Sequence, residues 1–235
     1  MKKIGRTWFV LIIIPGLLLV QVNSCKKEDT KTVTDVEGNI YSTVAIGTQV
    51  WMAENLKTTK FNNNSKISLV TSNSVWTNTT NPAYCWYDND TANKPLYGAI
   101  YNWFAVGTGK LCPSGWHVPT HEEFKTLELH LGMTQAEADA LDWRGTNQGT
   151  QLKSTAGWDN GGNGTNSSRF SALPGGYRWG TTGDFFNLGA LSYWWTSTEN
   201  GTDQDLYRRL DFDQNGVFAQ AVKKQAGKYV RCIKD

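Results

Sequence analysis

The sequence has no CxxC pair and no paired cysteine–histidine spacing, which argues against a structural zinc site. Histidine is scarce. His117, His121 and His130 are the only three, and Pro119 between the first two keeps them off one helix face, so they read as ordinary residues rather than metal ligands. No internal repeat or low-complexity boundary divides residues 34–235, and collagen-like repeats are excluded. An excess of either charge is also missing. Lysine and arginine total 23 against 21 acids; Lys2, Lys3 and Arg6 lie in an acid-free N-terminal segment, and without them the balance is 20 against 21. A near-neutral domain offers no electrostatic case for nucleic acid. With 39% hydrophobic and 19% charged residues, the 235-residue chain is not disordered, and its length suits one sizeable domain.

The N-terminal apolar run, Trp8 to Val20, is 13 residues long and broken by Pro15 and Gly16. A transmembrane helix needs about 20 residues, so the run fits the apolar region of a secretory signal behind the basic Met1–Arg6 stretch. Gln21-Val22-Asn23-Ser24-Cys25 then resembles the lipobox of bacterial lipoproteins, which implies cleavage after Ser24 and a diacylglyceryl group on the Cys25 thiol. Each buried acyl methylene is worth about 0.8 kcal/mol, so several chains on one cysteine hold a protein at a membrane. Residues 1–24 are expected to be a signal peptide and 25–33 a lipidated tether. Lys26-Lys27-Glu28-Asp29 resembles the export tag of Bacteroidetes surface lipoproteins, which implies an outer-membrane lipoprotein with cell-surface exposure.

Beyond the tether, which runs to about Thr34, Val33 to Leu56 alternates around two turns and predicts a short meander of strands. Phe61 to Thr80, rich in Asn, Ser and Thr, reads as loop with one strand at most. Thr120-x-x-Glu123 and Thr134-x-x-Glu137 are capping boxes and open two helices, the first with Phe124, Leu127 and Leu131 on one face and the second with Ala138 and Leu141. Gly98 to Val106 suits either a third helix or a buried strand. Trp143 to Phe170 reads as an ordered functional loop region. Asn215-Gly216 marks a hairpin turn, and Lys228 to Ile233 a closing strand. The pattern is one α+β domain.

With Cys25 taken by lipid, Cys85, Cys112 and Cys232 remain, which allows at most one bridge and one free thiol in an oxidising compartment. Cys112–Cys232 is the favoured pair, closing a loop of about 120 residues worth about 4–5 kcal/mol in the chain-entropy model. Three buried, unbonded thiols are the alternative.

Seven stretches carry a family resemblance: Gln49-Val-Trp-Met-Ala-Glu-Asn-Leu56, Ala83-Tyr-Cys-Trp-Tyr87, Tyr97-Gly-Ala-Ile-Tyr-Asn-Trp103, Leu111-Cys-Pro-Ser-Gly-Trp-His-Val-Pro119, Phe170-Ser-Ala-Leu-Pro-Gly-Gly-Tyr-Arg178, Trp194-Trp-Thr-Ser-Thr-Glu199 and Val230-Arg-Cys232. Their order and spacing resemble the Fibrobacter succinogenes major paralogous domain, over residues 34–235. That domain is similar to the C-type lectin-like fold, which formylglycine-generating enzymes share. The resemblance implies a mixed fold of short strands, two or three helices and long ordered loops. It also implies a long-range bond between Cys112, ahead of the first helix, and Cys232 on the last strand. The fold's inner disulfide has no counterpart here. The Glu-Pro-Asn and Trp-Asn-Asp motifs of calcium-dependent sugar binding are absent, Trp195 being followed by Thr-Ser-Thr. Formylglycine-generating enzymes use paired reactive cysteines in their C-terminal part, and here only Cys232 lies beyond Cys112, so no enzyme of that kind and no catalytic residue is expected.

Tryptophan is abundant: ten of eleven follow Cys25. Indole faces stack on the apolar faces of sugar rings while neighbouring Asn and Asp bond hydroxyls. Trp51, Trp103, Trp116 and Trp194 are expected in the core. Trp158, Asp159, Asn160, Trp179 and Trp195 are the candidate ligand-binding residues, with Trp158 and Trp179 foremost. No metal or cofactor is assigned, although the oxygen-rich Asp88-Asn89-Asp90 turn and Asp211 and Asp213 leave a structural calcium ion as an alternative to solvated turn acids. The expected function is a non-catalytic, lipid-anchored envelope module that recognises glycan or another surface ligand through a Trp/Asn/Gly-rich loop face. The alternative is a structural or adhesive component that binds a surface protein.

Overall fold

The Val33–Leu56 stretch folds as an antiparallel meander of β1 (Thr32–Thr34), β2 (Ile40–Ile46) and β3 (Gln49–Met52) in the computed structural model, which describes residues 1–2 and 31–235. The signal segment 1–24, apart from residues 1–2, lies outside the described residues, as do Cys25 and the tether up to Thr30. The tether gives way to structure earlier than expected, because Thr32–Thr34 is already paired with β2. The β1–β2 turn is organised by the Asp35 carboxylate, which accepts from the backbone N–H of Glu37 and Asn39 and from the Tyr41 hydroxyl.

The Phe61–Thr80 segment contains β4 (Ser68–Leu69) and also a helix, α1 (Asn73–Asn78), which the sequence did not predict. Ser72 Oγ caps α1, but Trp76 is its only buried residue, so no apolar period betrays it. After β5 (Ala83–Cys85) come two 3-10 turns and α2 (Lys94–Tyr97). The ambiguous Gly98–Val106 run is strand and then helix: β6 (Ile100–Tyr101), then α3 (Trp103–Val106). The break falls at Asn102, whose side chain caps α3.

After β7 (Trp116–His117), both predicted capping boxes are present, at the heads of α4 (His121–His130) and α5 (Gln135–Asp139). Leu141, expected beside Ala138, is instead exposed beyond the end of α5. The long polar segment is punctuated by β8 (Asp142–Arg144) and α6 (Gln148–Leu152). Strands β9 (Gly175–Arg178), β10 (Phe185–Leu188), β11 (Leu191–Glu199), β12 (Gln204–Asp211), β13 (Val217–Lys223) and β14 (Ile233–Lys234) complete the chain. The Asn215-Gly216 hairpin exists, but its link runs over residues 212–216 rather than two residues, because the Lys153 ammonium gathers the carbonyls of Asp211 and Gln214 at 3.0 Å. The predicted closing strand is mostly single bridges, with ladder pairing only at β14.

The strands form three sheets, in the orders β1-β2-β3-β14-β7, β10-β9-β11-β12-β13-β8 and β4-β5-β6. This is a mixed α+β fold. Six helices, rather than two or three, occur among the described residues, and only α4 exceeds six residues. Short helices of this kind are held by tertiary packing, not by their own propensity. A disulfide joins Cys112 to Cys232 across 120 residues, just ahead of the β7 and β14 strands that pair with each other.

Two aromatic-rich cores lie on opposite faces of the six-stranded sheet. On one face, Trp194, Arg208 and Leu210 pack towards α4. There the buried Glu128 carboxylate receives Arg144 at 2.6 Å and Arg208 at 2.7 Å, tying α4 to β8 and β12.

Candidate ligand-binding face

Side chains alternate across a strand, so the residues that flank Trp194 and Arg208 belong to the opposite face of the sheet. There, every strand contributes an aromatic ring to one row: Phe186, Tyr177, Tyr193, Tyr207, Phe218 and Trp143, from β10, β9, β11, β12, β13 and β8. Successive ring centroids are 6.0, 4.5, 5.7, 6.1 and 5.3 Å apart. The ladder register sets the spacing, with Phe186 opposite Tyr177 and Phe218 opposite Trp143. Trp179 extends the row, 5.9 Å from Tyr177. The ends are open to solvent, with Trp143 37%, Trp179 38% and Phe186 42% exposed, whereas Tyr193 and Tyr207 form a buried middle.

Gly176 brings β9 into position. It has φ +67, and a Cβ there would lie 2.5 Å from the Phe186 carbonyl oxygen. The segment around Lys228 wedges beside β9 and β11, where Gly227 bridges to Arg178 and Tyr229 to Trp194. Lys228 thereby reaches the aromatic face, its ammonium nitrogen 4.0 Å from the Tyr207 ring centre, 4.2 Å from Tyr193, 5.3 Å from Trp195 and 5.5 Å from Tyr177. Burial, then Arg209, push the Lys228 amine well below the usual lysine range. Burial lifts the Tyr207 phenol to about 12. Arg209 lies over Phe218 at 4.1 Å and pairs with Asp211 at 2.7 Å.

Of the residues predicted to bind ligand, Trp179 alone belongs to this face and is exposed. Trp195 is on the same face but fully buried, its indole N–H donating to the Tyr101 carbonyl, so its expected stacking role is corrected. Trp158 is likewise buried, its indole N–H shared between Ser154 Oγ and the Ala172 carbonyl; its loop folds inward because these acceptors satisfy the only polar atom of the ring. Asp159 and Asn160 are exposed on a 3-10 turn, where the Asp159 N–H donates to Gly189 at the Leu188 end of the β9–β10 hairpin; Trp179 follows Arg178 at the other end. The five residues therefore do not form one site. The other six aromatics were missed, although alternation in Leu206-Tyr-Arg-Arg-Leu210 and its neighbours held the signal.

The core assignments hold for Trp51, Trp103 and Trp194, while Trp116 is half-buried. Asp90 caps the turn after it through Ala92, and Asp211 is engaged by Arg209; among the described residues no group of three or more His, Cys, Asp or Glu could hold a metal ion. No helix among the described residues is long and apolar enough to cross a membrane.

The arrangement defines a disulfide-closed α+β domain whose main sheet displays an aromatic row. Residues 44–234 match the Fibrobacter succinogenes major domain, and the chain belongs to that family. No curated protein and no solved structure matches it.

Proposed function

We propose that this chain is a non-catalytic binding module, held by lipid on Cys25 at the outer membrane, whose aromatic sheet face stacks on glycan. The observation that carries the reading is the row of rings across all six strands, open at Trp143, Trp179 and Phe186. The open rings at the ends of this tilted row suit the apolar faces of sugar rings, and the Arg209–Asp211 pair and Gln220 beside it supply groups for hydroxyls. The anchor and envelope location rest on the lipobox-like stretch ending at Cys25. The bond from Cys112, ahead of α4, to Cys232, ahead of the last strand, supports kinship with C-type lectin-like domains. The non-catalytic reading draws support from the thiols: Cys112 and Cys232 are bonded to each other, and burial lifts the Cys85 thiol to about 12.

A glycan array tests the proposal. The full chain is expected to bind a saccharide, and Trp143→Ala with Trp179→Ala and Phe186→Ala to abolish that binding without loss of fold. Undiminished binding by the folded triple variant would remove this face as the site.

A further inference from the structure

Four buried cations lack a carboxylate partner among the described residues: Lys153, Lys228, Arg178 and Arg231, the first being held by the carbonyls of Asp211 and Gln214. Lys228 is enclosed by rings. Arg178 donates to four acceptors, the Gly183, Val70 and Thr71 carbonyls and Asn73 Oδ1, at 2.6–2.9 Å. Arg231 differs from the other three, because it lies at the wall of a cleft.

That cleft, of about 400 Å³, sits on the Trp194 side of the six-stranded sheet, away from the aromatic row. Arg231 is 1% exposed and lies 4.1 Å over the Phe170 ring. Its acceptors are all neutral. Nε and Nη2 share the single Asn55 Oδ1 at 3.3 and 3.2 Å, Nη2 also reaches the Ser171 carbonyl at 3.4 Å, and Nη1 donates to the Phe170 carbonyl. The nearest acid acting on it, Glu54, is held by Lys57 at 3.5 Å and by the Ser42 N–H. Burial accordingly lowers the guanidinium to about 9, against the pull of Glu54. Arginine does not shed its proton to escape such a position, and a buried charge without a counter-ion is costly. Its planar fork is shaped for a carboxylate. Around it, Ser42 offers a hydroxyl and Ser154 and Ser171, whose own protons go to the Ala156 and Arg169 carbonyls, offer acceptor oxygens, while Leu96 and Leu173 supply an apolar wall.

We propose that this cleft is a carboxylate-binding site for a hydroxylated acid of monosaccharide size, such as a hexuronate, with Arg231 as the anion-recognising residue and Lys57 at the rim. The carboxylate supplies the missing counter-ion, the serines meet ring hydroxyls, and Leu96 and Leu173 cover the sugar's apolar face. The site is independent of the aromatic face.

Calorimetric and NMR titration of the full chain with galacturonate and with its neutral methyl ester tests the proposal. Galacturonate is expected to bind and to shift the Arg231 Nε resonance, with the ester at least about tenfold weaker, the loss of one charge-assisted contact. Glu54→Gln, which removes a competing carboxylate but keeps an acceptor for Ser42, is expected to tighten binding several-fold, and Lys57→Met to weaken it. Arg231→Lys is expected to lose about tenfold, since a point charge replaces the fork. Equal binding of acid and ester, no shift at Arg231, or no effect of Glu54→Gln and Lys57→Met would overturn it. These two substitutions, at half-buried positions on the rim, keep the test decisive if Arg231→Lys fails to fold. The Trp143, Trp179 and Phe186 variants should leave galacturonate binding unchanged, so failure of either site is distinguishable from failure of the other.

Discussion

The ammonium nitrogen of Lys228 stands 4.0 Å from the centre of the Tyr207 ring, with no carboxylate partner among the described residues. Tyr193, Trp195 and Tyr177 surround it further, so its stabilisation comes from ring faces alone. Such contacts offset only about 2 kcal/mol of a desolvation cost of several kcal/mol per ion.

Lys228→Met should therefore fold with stability equal to or above that of the parent at neutral pH. The folded-state value of the amine lies well below the ordinary 10.5, so across that interval the unfolded chain binds more protons and stability rises with pH. Urea unfolding at a series of pH values below 10 should show this rise in the parent and a flatter profile in the variant. A loss of more than about 1 kcal/mol in Lys228→Met would mean that the cation–ring contacts outweigh burial.

Glu128 is paired with two buried guanidinium groups, at 2.6 and 2.7 Å. Glu128→Gln is expected to lose about 3–5 kcal/mol in chemical denaturation, because Arg144 and Arg208 remain charged in the interior. Retention of full stability would show that water or rearrangement compensates them.

His117 and His121 should titrate in opposite directions. Burial works to lower His117, but Asp235 at 2.6 Å and Glu123 at 2.8 Å outweigh it and raise the imidazole above the ordinary 6.5. Its contribution to stability is complete below that value and fades as pH rises through the folded-state one. Burial, then Arg208 and Arg144, lower His121 to about 4, and its Nδ1, 3.0 Å from Arg208, is an acceptor only when the ring is neutral. Its contribution is present above 6.5 and is lost as pH falls towards 4. Histidine NMR titration reads both, and a common midpoint would contradict the assignment.

Trp158→Ala should cost about 3–5 kcal/mol by emptying a core position, whereas Trp179→Ala should change stability by less than about 1 kcal/mol. Thermal unfolding of the two variants separates a structural indole from an exposed one, and equal losses would contradict the placement of Trp179 on the open face.

Both capping boxes were legible because Thr120–Glu123 and Thr134–Glu137 interact across one turn, where sequence distance is spatial distance. The strand meander was legible for the same local reason. Helix α1 was hidden because a single tryptophan in six residues carries no period. The roles of the tryptophans were harder still. Trp158 and Trp179 sit in similar glycine-rich surroundings in the chain, yet one is 5% exposed and the other 38%. Whether an indole turns inward depends on acceptors for its N–H, and those of Trp158 lie at Ser154 and Ala172.

The sequence by itself determined the α+β class and the two capped helices through local periodicity and capping signals, and its motifs carried the family resemblance that implied the pairing of Cys112 with Cys232, which the structure shows. Tertiary structure alone decided which rings form a surface, which cations are left without an acid, and that Arg231 borders a cleft. These depend on strand register and on contacts between residues far apart in the chain, such as Arg231 with Asn55 across 176 positions, and no local pattern encodes them.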